Sequence, residues 1–398
     1  MTQLRPLKLV VTNESALRRL YGRKLARVHH ALRDLCIADR RRGIDTRIVR
    51  LDVAKDMARY RARRVARHLD QPSVKRAVDD VWNQLRPLYL LILGGPDIVP
   101  QQVGSAADGP EFTIAWVPKV LQAREAASDL VQIAQMFQRA PTLSVAWADS
   151  GINTVDDWAG KKIGAWPFGN ELEVLASAKI LANLTDGVDF TRVEQDFDMG
   201  ELIAAQDGCA EAETDCVDVA EAMIYNEWAQ LLETEDPNTG ELYQPEQFTV
   251  FDFNALGTAM LQDSLWARAS WLAEDGNEDV ATRFLRASFK GWIYCRDNPD
   301  DCVQYSIDHG STWGAGHLAW MMNEVNNLLW PSPDGIGVLD QDAWDQTVAT
   351  AIAGGILTAE PSADAYRLDL TLAALDGLEG ATGTDWEKPV VEITPGGE

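Results

Sequence analysis

Three apolar runs of strand length, separated by helix-length segments, open the chain: "LKLVVTN" at 7–13, "TRIVRLD" at 46–52 and "LYLLILGG" at 88–95. Between the first two lies "RRLYGRKLARVHHALRDLCIADRRRG", which Asn13 or Ser15 is placed to cap and Gly43 to end; "SVKRAVDDVWNQL" precedes the third. Strands alternating with helices in this way imply a parallel sheet joined by right-handed crossovers. Beyond Pro100 the pattern changes. "EFTIAWV" and "LSVAWADS" read as strands, with a helix expected over "KVLQAREAASDLVQIAQMF" between them. "KKIGAW", "ELEVLASAKILAN" and "DFTRVEQ" read as strand, helix and strand. "VDVAEAMIYNEWAQLLET" is helical or passes from strand to helix, and "FTVFDFNALGTAML" is a strand bending at Gly257. From Asp263 onward almost everything reads as helix, up to a frayed tail at 379–398.

Charge divides the chain at the same place. Residues 1–90 carry 22 Lys+Arg against 9 Asp+Glu, a balance of +13; the remainder carries 14 against 52, a balance of −38. Such an imbalance marks segments of different origin or with different partners. The basic residues run all round their helix without a nucleic-acid motif, so a solvated face is the expectation and a nucleic-acid partner is not. No apolar run reaches the roughly 18 residues of a membrane span. The first residues, "MTQLRPLKLVVTNES", lack the apolar core of a secretory signal, so the chain as written is expected in the cytoplasm.

The cysteines form two short-range pairs, Cys209 with Cys216 and Cys295 with Cys302, while Cys36 has no local partner. Both pairs are disulfide candidates, which suits an exported protein; free buried thiols are the alternative. Their spacing does not fit a structural zinc site, and neither a metal nor a cofactor is expected.

A series of segments in order, among them "GGPDIVPQQV", "FTIAWVPKVLQARE", "DSGINTVDDWAGKKIGAW", "FGNELE", "AMIYNEWAQ", "FDFNALGTAMLQD" and "WMMNEVNNLLWPSPDGIG", resembles the solute-binding proteins of ABC importers. The branch is the one that binds thiamine-pyrimidine precursors, riboflavin and sulfonates, and the likeness runs from about 94 to 378. It implies an α/β, two-lobed, periplasmic-binding-protein-like type II fold, preceded or completed by the N-terminal parallel β-α-β-α-β segment. One lobe would hold about 94–150 and 254–378 and the other about 155–252, with crossovers near "AWADSG" and "DFNALG". It also implies a membrane permease as partner and a periplasmic or extracellular, membrane-attached location. Residues 1–93, through "LKLVVTNESALRRLYG" and "LYLLILGGPDIVP", resemble the opening of a gingipain- or caspase-like peptidase domain but stop before any His–Cys dyad. The stretch at 88–100 thus reads both as a ligand-side loop and as the seam of a chimera.

Two motifs carry the candidate cleft. In "GAWPFGNELEVLA" a strand delivers Phe168, Gly169, Asn170 and Glu171 to a helix start, where free N–H groups suit ligand oxygens and Phe168 can stack on a flat ring. The structural alternative is a capping box between Asn170 and Glu173. "AMIYNEWAQ" brings Tyr225, Asn226 and Glu227 together, an aromatic ring, an amide and a carboxylate that match the donors and acceptors of an aminopyrimidine. Trp116 is a third candidate wall. Carboxylates without Arg or Lys, apart from Lys161 and Lys162, favour a cationic or N–H-rich small-molecule heterocycle over a sulfonate. The expected function is ligand binding for an importer rather than catalysis. The alternatives are a chimera that keeps the fold without binding, and a pyrimidine-synthesis enzyme; against the enzyme, His309 and His317 read as structural.

Overall fold

The computed structural model describes residues 6–66, 71–86, 89–92, 110–167, 169–210 and 216–398. The "GGPDIVPQQV" motif, the seam beside it and Phe168 lie outside them. The chain divides into two units at Pro110.

In the first unit the strands are β1 (Leu7–Thr12), β2 (Asp45–Arg50) and β3 (Tyr89–Ile92), with helices α1 (Glu14–Tyr21), α2 (Leu25–Arg41), α3 (Ala54–Ala58) and α4 (Gln71–Leu85) between them. They form a parallel sheet of their own in the order β2-β1-β3, with β1 in the centre. Leu9, Val11, Val49 and Val81 are fully buried in its core. Asn13 caps α1, its Oδ1 accepting the Ala16 N–H at 2.9 Å, and Gly43, at φ +83°, lies in the turn that follows α2.

The second unit holds two sheets. One consists of β4 (Phe112–Ala115), β5 (Leu130–Gln135) and β11 (Ser264–Arg268), antiparallel in the order β4-β11-β5. The other has β6 (Thr142–Trp147), β7 (Lys162–Ala165), β8 (Thr191–Glu194), β9 (Val219–Met223) and β10 (Phe248–Asp252) in the order β10-β6-β9-β7-β8, with β7 parallel to both β8 and β9. Helices α5 (Val117–Glu125), α6 (Leu172–Ala182), α7 (Gly200–Ile203), α8 (Glu227–Leu232), α9 (Phe253–Leu256) and α10 (Ala269–Leu272) lie between these strands or just after β11. After them come α11 (Asn277–Asp297), α12 (Pro299–Asp308), α13 (Ala315–Leu329), α14 (Gln341–Ala353) and α15 (Asp369–Leu375). Two sheets joined by two passages of chain, 136–141 and 253–263, make the two-lobed layout that the resemblance implies.

Three expectations are corrected. The helix expected over 119–137 stops at Glu125, Ala127 turns at φ +71°, and "LVQIAQ" becomes β5, buried along its whole length. Its glutamines suit that core because Gln132 donates to Gln135 at 2.6 Å, and Gln135 donates on to the Phe137 carbonyl at 2.6 Å. Residues 142–150 belong to the second lobe, since β6 pairs with β9 and β10, so the first crossover precedes "AWADSG". Finally, the tail 379–398 is packed rather than frayed. Trp386 lies on the first lobe's core and Ile393 on the second's. Between them, Lys388 Nζ meets the buried Glu324 at 2.5 Å and the Pro389 carbonyl accepts from Asn323 at 3.0 Å.

Disulfides join Cys209 to Cys216 and Cys295 to Cys302, and Cys36 is a free thiol. Among the described residues no helix is long and apolar enough to cross a membrane.

Candidate functional site

Strands β7, β8 and β9 run parallel, and the chain leaving their carboxyl ends carries Trp166, Gln195 and Tyr225. Crevices at such strand ends are the usual ligand sites of α/β sheets. The groups gathered at these strand ends are rich in carboxylates. Glu221 projects from the middle of β9, fully buried beside its cross-strand partner Ser144. Its Oε2 accepts the Trp166 N–H at 2.7 Å, while Oε1 and the Ser144 hydroxyl are buried without a hydrogen-bond partner. Burial pushes the Glu221 carboxyl well above its usual range, reinforced by the negative charges of Glu173, Glu171 and Glu227.

Glu173, in the first turn of α6, faces the second crossover. It accepts the Met260 N–H at 2.9 Å and Gln262 Nε2 at 2.6 Å. Burial raises it to about 7. The capping box between Asn170 and Glu173 is therefore not formed: Glu171 holds the cap position of α6 with no side-chain cap, and Glu173 is drawn away to the crossover. Glu171 instead accepts the Gly169 N–H at 2.7 Å and lies 3.4 Å from Arg192. Gly169 has φ +95°, and a Cβ there would come 3.1 Å from the Lys119 side chain of α5, so the position suits glycine. Asn170, beside it, is half-buried.

Tyr225, Asn226 and Glu227 come together as the spacing suggests, at the passage from β9 to α8. Glu227 accepts the Met223 N–H at 3.0 Å and Asn226 Nδ2 at 2.6 Å, and burial raises its carboxyl. Asn226 Oδ1 meets Gln230 at 3.2 Å and His317 Nε2 at 3.0 Å. His317 is fully buried, stacked on Trp313 and held by Glu233 at 2.8 Å, so it orients Asn226. His309 is exposed and stacked on Tyr305. The Tyr225 ring lies edge-on to Phe137 of the first lobe at 6.2 Å, and burial raises its hydroxyl, with Asp263 and Glu227 adding to the effect. Trp116 donates its indole N–H to Asp263, whose carboxyl burial raises to about 6. Both lobes thus contribute.

Sequence reasoning missed Glu221, Glu173 as a cleft group, Asp263 and Phe197. A carboxylate amid the small apolar residues of "VAEAM" was the available signal for Glu221. Phe197, 64% exposed and stacked on Trp166 at 5.6 Å, had no comparable signal. Lys162 turns away, its Nζ reaching the Ala210 carbonyl at 2.6 Å. At the rim, Arg192 and Lys119 are the cations that approach Glu171 and Gly169.

The family model described as NMT1/THI5 like matches residues 94–302, more than half of the chain. The chain belongs to the NMT1/THI5-like family. Solved structures similar to this NMT1/THI5-like chain include a putative periplasmic sulfonate-binding protein SsuA of an ABC transporter from Methylobacillus flagellatus, at 14% identity over 99% of this chain and 100% of that one, with a TM-score of 0.49. The aliphatic sulphonate binding protein SsuA from Escherichia coli is 13% identical over 87% and 85%, with a TM-score of 0.44. The desulfurization enzyme DSZB is 13% identical over 72% and 91%, with a TM-score of 0.47. No curated protein matches the chain.

Proposed function

We propose that residues 111–398 form the substrate-binding component of an ABC importer. They close without chemistry of their own around a small cationic or N–H-rich heterocycle, of the thiamine-pyrimidine-precursor or riboflavin type, and hand it to a membrane permease. The observation that carries this reading is Glu221 Oε1, a buried carboxylate oxygen with no partner, among Glu171, Glu173 and Glu227 at the carboxyl ends of parallel strands. An unpaired buried acceptor of this kind is costly unless a donor comes to it. Burial favours the protonated carboxyl; a cationic ring nitrogen or amino group beside it would favour the ionised form and donate to it, which an anionic sulfonate cannot do. Tyr225 and Phe197 supply aromatic faces for the ring.

The test is thermal melting of the full chain with a hydroxymethylpyrimidine, thiamine, riboflavin and an alkanesulfonate. A ligand at about a hundred times its Kd stabilises by roughly 2.7 kcal/mol, a shift of a few degrees in a unit of this size. The shift is expected with one of the heterocycles and should vanish in Glu221→Gln and Glu227→Ala. A shift with the sulfonate alone, or with none, rejects the ligand class. The opening unit, with a parallel sheet of its own, is read as a segment of separate origin joined near residues 88–100. Coding DNA from independent clones tests the joint: reading through that stretch marks a natural fusion, and failure to read through marks an artefact of joining.

A further inference from the structure

In the first unit the carboxyl ends of β1 and β2, at Thr12 and Arg50, open into a cavity of about 400 Å³. Leu17, Leu32 and Ile48 give it an apolar wall, and its charged groups are mostly basic. The two carboxylates that line it are already engaged. Glu14 meets His29 Nε2 at 3.0 Å, and Asp56 takes the fork of Arg50 at 2.7 and 3.1 Å. Arg33, Lys55 and Arg59 remain on the exposed rim. Arg33 Nη2 lies 3.1 Å from His30 Nδ1, and among the described residues none of the three has a carboxylate within ion-pair distance.

We propose that this cavity binds a small organic phosphate, a site separate from the acidic cleft and independent of the reading given for it. Three cations converging on one concavity, of which only Arg59 is acted on by a described carboxylate, Asp56, call for more than one negative charge, which a phosphate carries and a monocarboxylate does not. The apolar wall and the volume accommodate an organic body beyond the phosphate itself. Concavity also argues against a nucleic-acid strand, which needs cations spread along an open face.

The experiment titrates the full chain at low salt, by calorimetry, with adenosine 5′-monophosphate and with a short duplex DNA. The expected result is saturable binding of the nucleotide at one site per chain. It should weaken by about tenfold or more in Arg33→Ala/Lys55→Ala, as loss of charge-assisted bonds requires, and should be unchanged in Arg63→Ala. All three substitutions are at exposed positions, and circular dichroism would verify that each variant folds. No nucleotide binding, an undiminished affinity in the double variant, or binding of the duplex alone would each overturn the proposal.

Discussion

At the scale of single residues, the buried glutamates make the protein's stability depend on pH in an unusual direction. Glu173 titrates near pH 7 in the folded chain and near 4.5 when unfolded. Between those values the folded state binds more protons than the unfolded one, so stability falls as pH rises through this window. The full loss from Glu173 alone is about 3 kcal/mol by pH 8, and Asp263, raised to about 6, pulls the same way. Denaturant melts at pH 5, 6, 7 and 8 should decline in stability, and Glu173→Gln should flatten the decline. A rise in stability across that range in the wild-type chain would contradict the assignment. The candidate-site residues legible in the sequence were those at strand-to-helix passages, Gly169 to Glu171 and Tyr225 to Glu227, because strand ends are where chemistry collects. Glu221 was not singled out because its importance comes from what surrounds β9: the N–H of Trp166 and the carboxylates of α6 and α8, brought together only by folding.

At the scale of elements, the parallel opening was legible because β1, β2 and β3 are apolar runs framed by amphipathic helices. Strand β5 was not. "LVQIAQ" continues an alanine-rich helical pattern, and only burial on both faces, with Val131 and Ile133 in one core and Leu130 in another, makes it a strand. The junction of α11 with α12 shows a local staple. The Cys295–Cys302 bridge closes a loop of 8 residues, with Cα atoms 5.6 Å apart. A loop of that length is stabilised by about 2 kcal/mol in the chain-entropy account. Replacing both cysteines by alanine should lower the denaturation midpoint accordingly, with secondary structure unchanged in circular dichroism. Equal midpoints would place the stabilisation elsewhere.

For the molecule as a whole, the tail at 379–398 matters more than its Gly, Thr and Pro content suggested. Composition alone reads as fraying, but Trp386 and Ile393 complete one core in each lobe. Lys388 neutralises Glu324, whose side chain is 1% exposed. Removing one member of a buried pair costs about 3–5 kcal/mol; since Lys388 is itself 37% exposed, Lys388→Ala should cost about 3 kcal/mol. Glu324→Gln in the same background should recover part of it, as read by chemical denaturation. Full stability in Lys388→Ala would show the contact to be ornamental. There is also a mechanical consequence. Two anchors seven residues apart on one tail, one in each lobe, form a tether of fixed contour length. Fully extended, that tether reaches about 25 Å. The lobes can gape only so far before Trp386 or Ile393 must leave its core, so the widest opening is set by chain length as well as by the hinge.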